Sequence, residues 1–100
     1  DKILVNSKDI VKAISINKPS FAVIAHNHPS GIIKPSATDN ATTAKLHILL
    51  SINDVCLFDH LIFGKDVVNE CFSYHLSGSL THIKNNCSID ALVSKNIENI

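Results

Sequence analysis

His26 and His28 stand two residues apart at the end of an apolar run, and Asp39 follows eleven residues after His28. If that run is a strand, alternate side chains share a face, so both imidazoles leave the same side with Cα atoms about 7 Å apart. Two neutral imidazoles and one carboxylate form a three-ligand set that leaves a tetrahedral zinc one open position. A zinc held in this way activates water near neutral pH, which is hydrolase chemistry. With six histidines in the chain, the His-x-His pair by itself carries little weight. A reading without a metal is also available. Ser36-Ala37-Thr38-Asp39 fits a capping box, in which Ser36 and Asp39 serve only the start of a helix. The histidines would then be hydrogen-bonded residues at a strand end. Spacing leaves both readings standing.

The other reactive side chains carry weaker signals. Strict alternation places Asp59 and His60 on opposite faces of a strand, so adjacency does not make them a dyad. Asp59 would share its face with Leu57 and Leu61, either orienting a ligand histidine or bonding backbone groups at an element end. His47, His75 and His82 read as surface or hydrogen-bonded residues. Lys34, close to the histidine loop, reads as a solvated lysine or as a group that draws in a substrate carboxylate. Cys56, Cys71 and Cys87 contain no C-x-x-C spacing, so they predict reduced thiols rather than a disulfide framework or a zinc knuckle.

These residues need elements to position them. Ser7 precedes a short helical pattern with Ile10, Val11 and Ile14, which Pro19 closes. Phe21–Ala25 is a compact apolar run, the mark of a buried strand, and it leads into a loop over 26–31. Ser36 is a good N-cap for a helix over 37–52, whose apolar side would carry Ala41, Ala44, Ile48 and Ile52. Val55–Phe63 reads as a second strand ended by Gly64, and Phe72–His75 as a short third before Gly78. From Ser88, the residues Ile89, Leu92, Val93, Ile97 and Ile100 fall on one helical face. The order predicts an α/β fold, with helices covering a small sheet.

One hundred residues allow one domain. Nine lysines balance nine acidic residues, and there is no arginine. A nucleic-acid surface needs excess cations and favours arginine forks, so composition argues against a direct nucleic-acid partner. No apolar run approaches a membrane span and no signal-peptide pattern opens the chain, so the expected setting is the cytoplasm. There is no methionine and residue 1 is aspartate, which suggests a fragment whose upstream residues are missing.

The run Ala25-His26-Asn27-His28-Pro29-Ser30-Gly31, followed by Pro35-Ser36 and Asp39, resembles the signature of the bacterial RadC family, part of the JAMM (MPN+) metalloprotease group. Leu4–Ile24 is similar to the family's preceding helix and strand, Asp59–Gly64 to its "DHIIVG" strand, and Phe72-Ser73-Tyr74 to its "YSF" strand. The resemblance covers about residues 3–80. It implies a three-layer-like mixed sheet of JAMM/MPN, cytidine-deaminase-like type, over residues 1–83, with 84–100 as an amphipathic extension. It also implies one zinc per chain, bound by His26, His28 and Asp39. Ser36 would donate a hydrogen bond to the developing oxyanion while an amide or isopeptide bond of a peptide or protein is hydrolysed. The family's links include a DNA-repair name. Its general acid/base is a glutamate upstream of the histidine pair, whereas the glutamates here are Glu70 and Glu98, both downstream. A non-catalytic metal-binding or scaffold fragment is therefore the alternative. A missing upstream strand would open a sheet edge to pairing, as in a homodimer.

Overall fold

A computed structural model describes residues 7–65 and 70–86. Six elements follow in chain order: α1 (Ser7–Asn17), β1 (Phe21–Asn27), α2 (Ala37–Ile52), β2 (Cys56–Phe63), β3 (Cys71–Ser73) and α3 (Ser79–Asn86). α1 ends as the sequence predicts, because Pro19 cannot continue it. Lys18 turns into the left-handed region at φ 46° and donates its N–H to the Ile14 carbonyl at 2.7 Å.

The sheet order is β1-β2-β3. β1 and β2 are parallel, so α2 is the crossover between them, and β3 returns antiparallel to β2. This is the α/β arrangement with a mixed sheet and flanking helices that the sequence predicts. The core joins Leu50 of α2, Val55 just before β2, Leu57 and Ile62 of β2, Tyr74, and Leu80 of α3. Ile10 and Ile14 of α1 and Ala22 and Ile24 of β1 pack against it. Among the described residues β1 is a sheet edge, and no helix is long and apolar enough to cross a membrane.

Three local expectations need correction. The buried stripe of α2 is Asp39, Thr43, Leu46 and Leu50 rather than Ala41, Ala44, Ile48 and Ile52, and Ile52 is 65% exposed. The helix turns Leu50 into the core with Leu57 and Ile62, and Asp39 and Thr43 toward the histidines, so counting apolar residues picks the wrong face. The third strand is shifted to Cys71–Ser73, and Tyr74 leaves it in a turn, with its N–H on the His60 carbonyl at 3.1 Å. α3 falls where no helix was expected, and its Leu80 is buried beneath Tyr74. The pattern from Ser88 onward and Cys87 lie outside the described residues.

A fourth correction matters most for function. Ala22 pairs with Leu57, but Val23 pairs with Asp59, so Phe58 is an extra residue in β2. Such a bulge breaks the two-residue alternation. Beyond it, His60 rather than Asp59 shares the α2-facing side with Leu57 and Ile62, because their partners on β1 are Ile24, Ala22 and His26.

Candidate metal centre

His26 and His28 leave the C-terminal end of β1, and Asp39 stands in the first turn of α2. In an open parallel sheet this is where ligands bind, beyond the carboxyl ends of the strands. His28 lies one residue past β1, with its N–H on the Phe63 carbonyl at 2.8 Å. The chain then doubles back through Gly31, whose φ of +86° suits glycine, and its N–H bonds the His28 carbonyl at 2.9 Å. The return brings the Ile32 carbonyl within 2.6 Å of His28 Nδ1. A carbonyl only accepts, so Nδ1 carries the proton and neutral His28 presents the lone pair of Nε2.

Ser36 caps α2, and both halves of the capping box are present. Its Oγ accepts the Asp39 N–H at 3.0 Å, and Asp39 Oδ2 accepts the Ser36 N–H at 2.8 Å. The capping reading is therefore right about the helix start. The same carboxylate also faces the imidazoles, with Oδ1 3.4 Å from His26 Nε2 and Oδ2 3.1 Å from His28 Nε2. The box locks the Asp39 rotamer that points at them. The three candidate ligand atoms lie within 4.8 Å of one another, and Asp39 is fully buried. His26 Nε2 and Asp39 Oδ1 are buried without a hydrogen-bond partner. Buried polar atoms left this way are unfavourable unless a partner, such as a cation, joins them.

The electrostatics favour ligands in their metal-binding forms. Burial lowers the His26 pKa, with Asp39 opposing and His28 adding to the fall, so the imidazole is neutral at pH 7. For Asp39, burial pushes the pKa up, but the Ser36 hydrogen bonds and the two imidazoles outweigh it, and the net shift is downward. A neutral imidazole and an ionised carboxylate are the states a metal requires.

Behind the site stand residues that spacing does not reveal. His60 is fully buried, with Nδ1 2.6 Å from Thr43 Oγ1 and Nε2 3.0 Å from His26 Nδ1. The Tyr74 ring stacks on it at 4.7 Å and 6°, and the Tyr74 hydroxyl donates to Asn40 Oδ1 at 2.7 Å. Thr43 could have been suspected, since it lies one turn beyond Asp39 on the same helix. His60 could not, because only the bulge turns it inward. Asp59 points away from the ligands and takes the other role considered for it, bonding the backbone N–H groups of His60 and His75 at 2.7 and 2.9 Å.

Burial, followed by the neighbouring His26, lowers the His60 pKa from 6.5 to about 4. The unfolded chain takes up a proton through this range that the folded chain refuses, so the associated stability is present above pH 6.5 and lost as pH falls toward 4. For the metal-free protein the expected loss from this residue between pH 7 and pH 4.5 is about 2 kcal/mol, and His26 acts in the same direction. Urea unfolding at pH 7 and pH 4.5 with a chelator present checks it; equal stabilities would contradict a neutral, buried His60.

A cleft of about 220 Å³ lined by His28, Ser30, Ile32, Lys34 and Ser36 opens beside the group. Ser36 Oγ accepts from Asp39 and still has its own proton to donate. A larger cavity of about 660 Å³ lies between α2 and α3 and includes none of the three candidate ligands. Glu70 neighbours Gly64 beyond β2 and is not part of the group. Cys56 and Cys71 are exposed and form no disulfide.

Residues 1–79 match the family model described as the RadC-like JAB domain. The chain belongs to the RadC-like JAB domain family. The match includes His26, His28, Ser36 and Asp39 and all three strands, and it stops where α3 begins. A UPF0758 protein of Paraburkholderia xenovorans is 44% identical over 68 residues, covering 67% of this chain and 26% of that protein. One from Coxiella burnetii is 38% identical over 76 residues, covering 76% of this chain and 33% of its own length. One from Haemophilus influenzae is 34% identical over 67 residues, covering 67% and 29%. The chain thus spans about a third or less of the RadC-like relatives it matches.

Proposed function

We propose that His26, His28 and Asp39 hold one zinc ion per chain, and that this domain is the metal-bearing part of a hydrolase acting on amide or isopeptide bonds of a peptide or protein. The observation behind this reading is the convergence of buried potential ligand atoms. His28 spends its ring proton on Ile32, and both carboxylate oxygens of Asp39 face imidazole Nε2 atoms at 3.1 and 3.4 Å. A cation satisfies such a group, and two imidazole nitrogens with one carboxylate suit zinc. Zinc there would polarise a carbonyl and make water a nucleophile near neutral pH.

The chain's own residues have separate tasks. Ser36 caps α2, fixes Asp39, and offers its hydroxyl proton to the oxygen on which charge develops. Lys34 lines the adjoining cleft, where a cation attracts a substrate carboxylate. The proposed setting is cytoplasmic, and no direct nucleic-acid contact is proposed.

One observation favours a second reading, a metal-bearing scaffold without catalysis. Asp39 is the one carboxylate in the group, and it is committed to the ligand cluster and the cap. No carboxylate of that cluster is left to move a proton. Peptide hydrolysis by a longer protein, set beside this chain, separates the two readings.

The first test is zinc per chain by elemental analysis, on protein purified without added metal. The expected result is near one for the parent and near none for His28→Ala. No zinc in the parent would leave Asp39 as a helix cap and end the reading.

A further inference from the structure

Thr43, His60 and His26 form a chain of hydrogen bonds whose direction follows from counting protons. The Thr43 hydroxyl lies 2.7 Å from the Asp39 main-chain carbonyl and 2.6 Å from His60 Nδ1. It has one proton. The carbonyl can only accept, so that proton goes to Asp39, and the second contact must be His60 Nδ1–H donating to Thr43. Neutral His60 then has a lone pair at Nε2, 3.0 Å from His26 Nδ1. That contact requires a proton on His26 Nδ1. Neutral His26 is left with the lone pair of Nε2, which faces Asp39 Oδ1 at 3.4 Å. The path begins on the Asp39 carbonyl and ends at the Asp39 carboxylate.

We propose that His60, oriented by Thr43, is a positioning residue that sets the tautomer of His26, so that its Nε2 lone pair is presented to a metal ion. The inference rests on the zinc reading for its purpose, but the tautomer itself is a property of the metal-free protein. His60 is held rigidly for the task by the parallel stack with Tyr74, whose hydroxyl is tied to Asn40. His28 is set independently by Ile32, so the relay governs one ligand of the pair. Outer partners of this kind commonly change metal affinity by roughly 10–100-fold when removed. The bulge at Phe58 gains a role here, because it turns His60 rather than Asp59 toward α2.

Thr43→Val removes the acceptor for His60 Nδ1–H while keeping the branched shape. His60 then gains by carrying its proton on Nε2 and donating to His26, which drives the His26 proton onto Nε2, into the site. Long-range ¹⁵N–¹H spectra of metal-free protein read the tautomers directly, and chelator competition reads zinc affinity. The expected parent spectrum shows His26 protonated at Nδ1. Thr43→Val is expected to shift His26 to the Nε2–H form and weaken zinc roughly 10–100-fold. Thr43→Ser, which restores a hydroxyl, is expected to recover both.

A parent His26 protonated at Nε2 would overturn the relay without any variant, so misfolding of Thr43→Val cannot protect it. Parent-like tautomer and affinity in a folded Thr43→Val would overturn it as well. A parent that binds no zinc but shows the Nδ1–H tautomer, lost in Thr43→Val, would sustain the relay and end the zinc reading instead.

Discussion

Asp39→Asn is expected to weaken zinc binding roughly a thousandfold or more while leaving the metal-free fold within about 1 kcal/mol of the parent. The two halves of the expectation have one cause. On the His26 tautomer proposed above, Asp39 Oδ1 faces the Nε2 lone pair at 3.4 Å with no proton between them in the metal-free protein. An asparagine can keep its carbonyl oxygen on the Ser36 N–H and turn its amide toward His26, making a hydrogen bond where two acceptors now meet. That gain is about 1 kcal/mol. Against it stands the lost negative charge at the start of α2, about 0.3–1 kcal/mol. The metal suffers outright, since an amide nitrogen replaces an anionic ligand. Zinc competition and thermal unfolding in chelator measure the two halves. Retained zinc affinity, or a loss of 2 kcal/mol or more in the metal-free protein, would show that Asp39 serves the helix before it serves a metal.

Asp59→Ala is expected to destabilise the protein by about 3–5 kcal/mol through three lost hydrogen bonds to a carboxylate, a large share of the 5–15 kcal/mol typical of a domain. Asp59 is buried, and its carboxylate gathers three donors from both sides of the β3 turn. Oδ1 accepts the N–H groups of His60 and His75, and Oδ2 accepts the Ser73 hydroxyl at 2.6 Å. The Ser73 oxygen in turn accepts the Leu76 N–H at 3.0 Å. Alanine leaves these donors, the buried His60 N–H among them, without their acceptor. Asp59→Asn keeps an acceptor for the two backbone groups and should lose only about 1–2 kcal/mol. Urea unfolding of the two variants gives the comparison. A loss below 1 kcal/mol for alanine would mean that pairing of β3 and packing of Tyr74 hold the turn by themselves. Because Asp59 touches no candidate ligand, zinc affinity of the folded Asp59→Asn protein is expected to match the parent.

The residue types and their spacing were enough to locate β1, to start α2 at Ser36, and to single out His26, His28 and Asp39. Those features are local. An apolar run between turn signals, a Ser-x-x-Asp box and a His-x-His pair each depend on neighbours within a few positions, which a sequence displays directly. The resemblance to the RadC family drew on the same short segments.

Tertiary structure decided what local pattern could not. The single extra residue at Phe58 shifts the alternation of β2, so strict alternation put Asp59 on the face of Leu57 and passed over His60. The inner face of α2 was hidden for a related reason. It mixes Leu46 and Leu50 with Asp39 and Thr43, and polar residues on a buried stripe erase the hydrophobic period that would reveal it. Their burial makes sense only once His26 and His60 are known to lie opposite. Composition and short-range spacing thus determined which atoms could bind a metal. Packing across residues 17 and 34 positions apart, Thr43 to His60 and His60 to His26, determined which lone pairs those atoms present, because a tautomer is fixed by its hydrogen-bond partner.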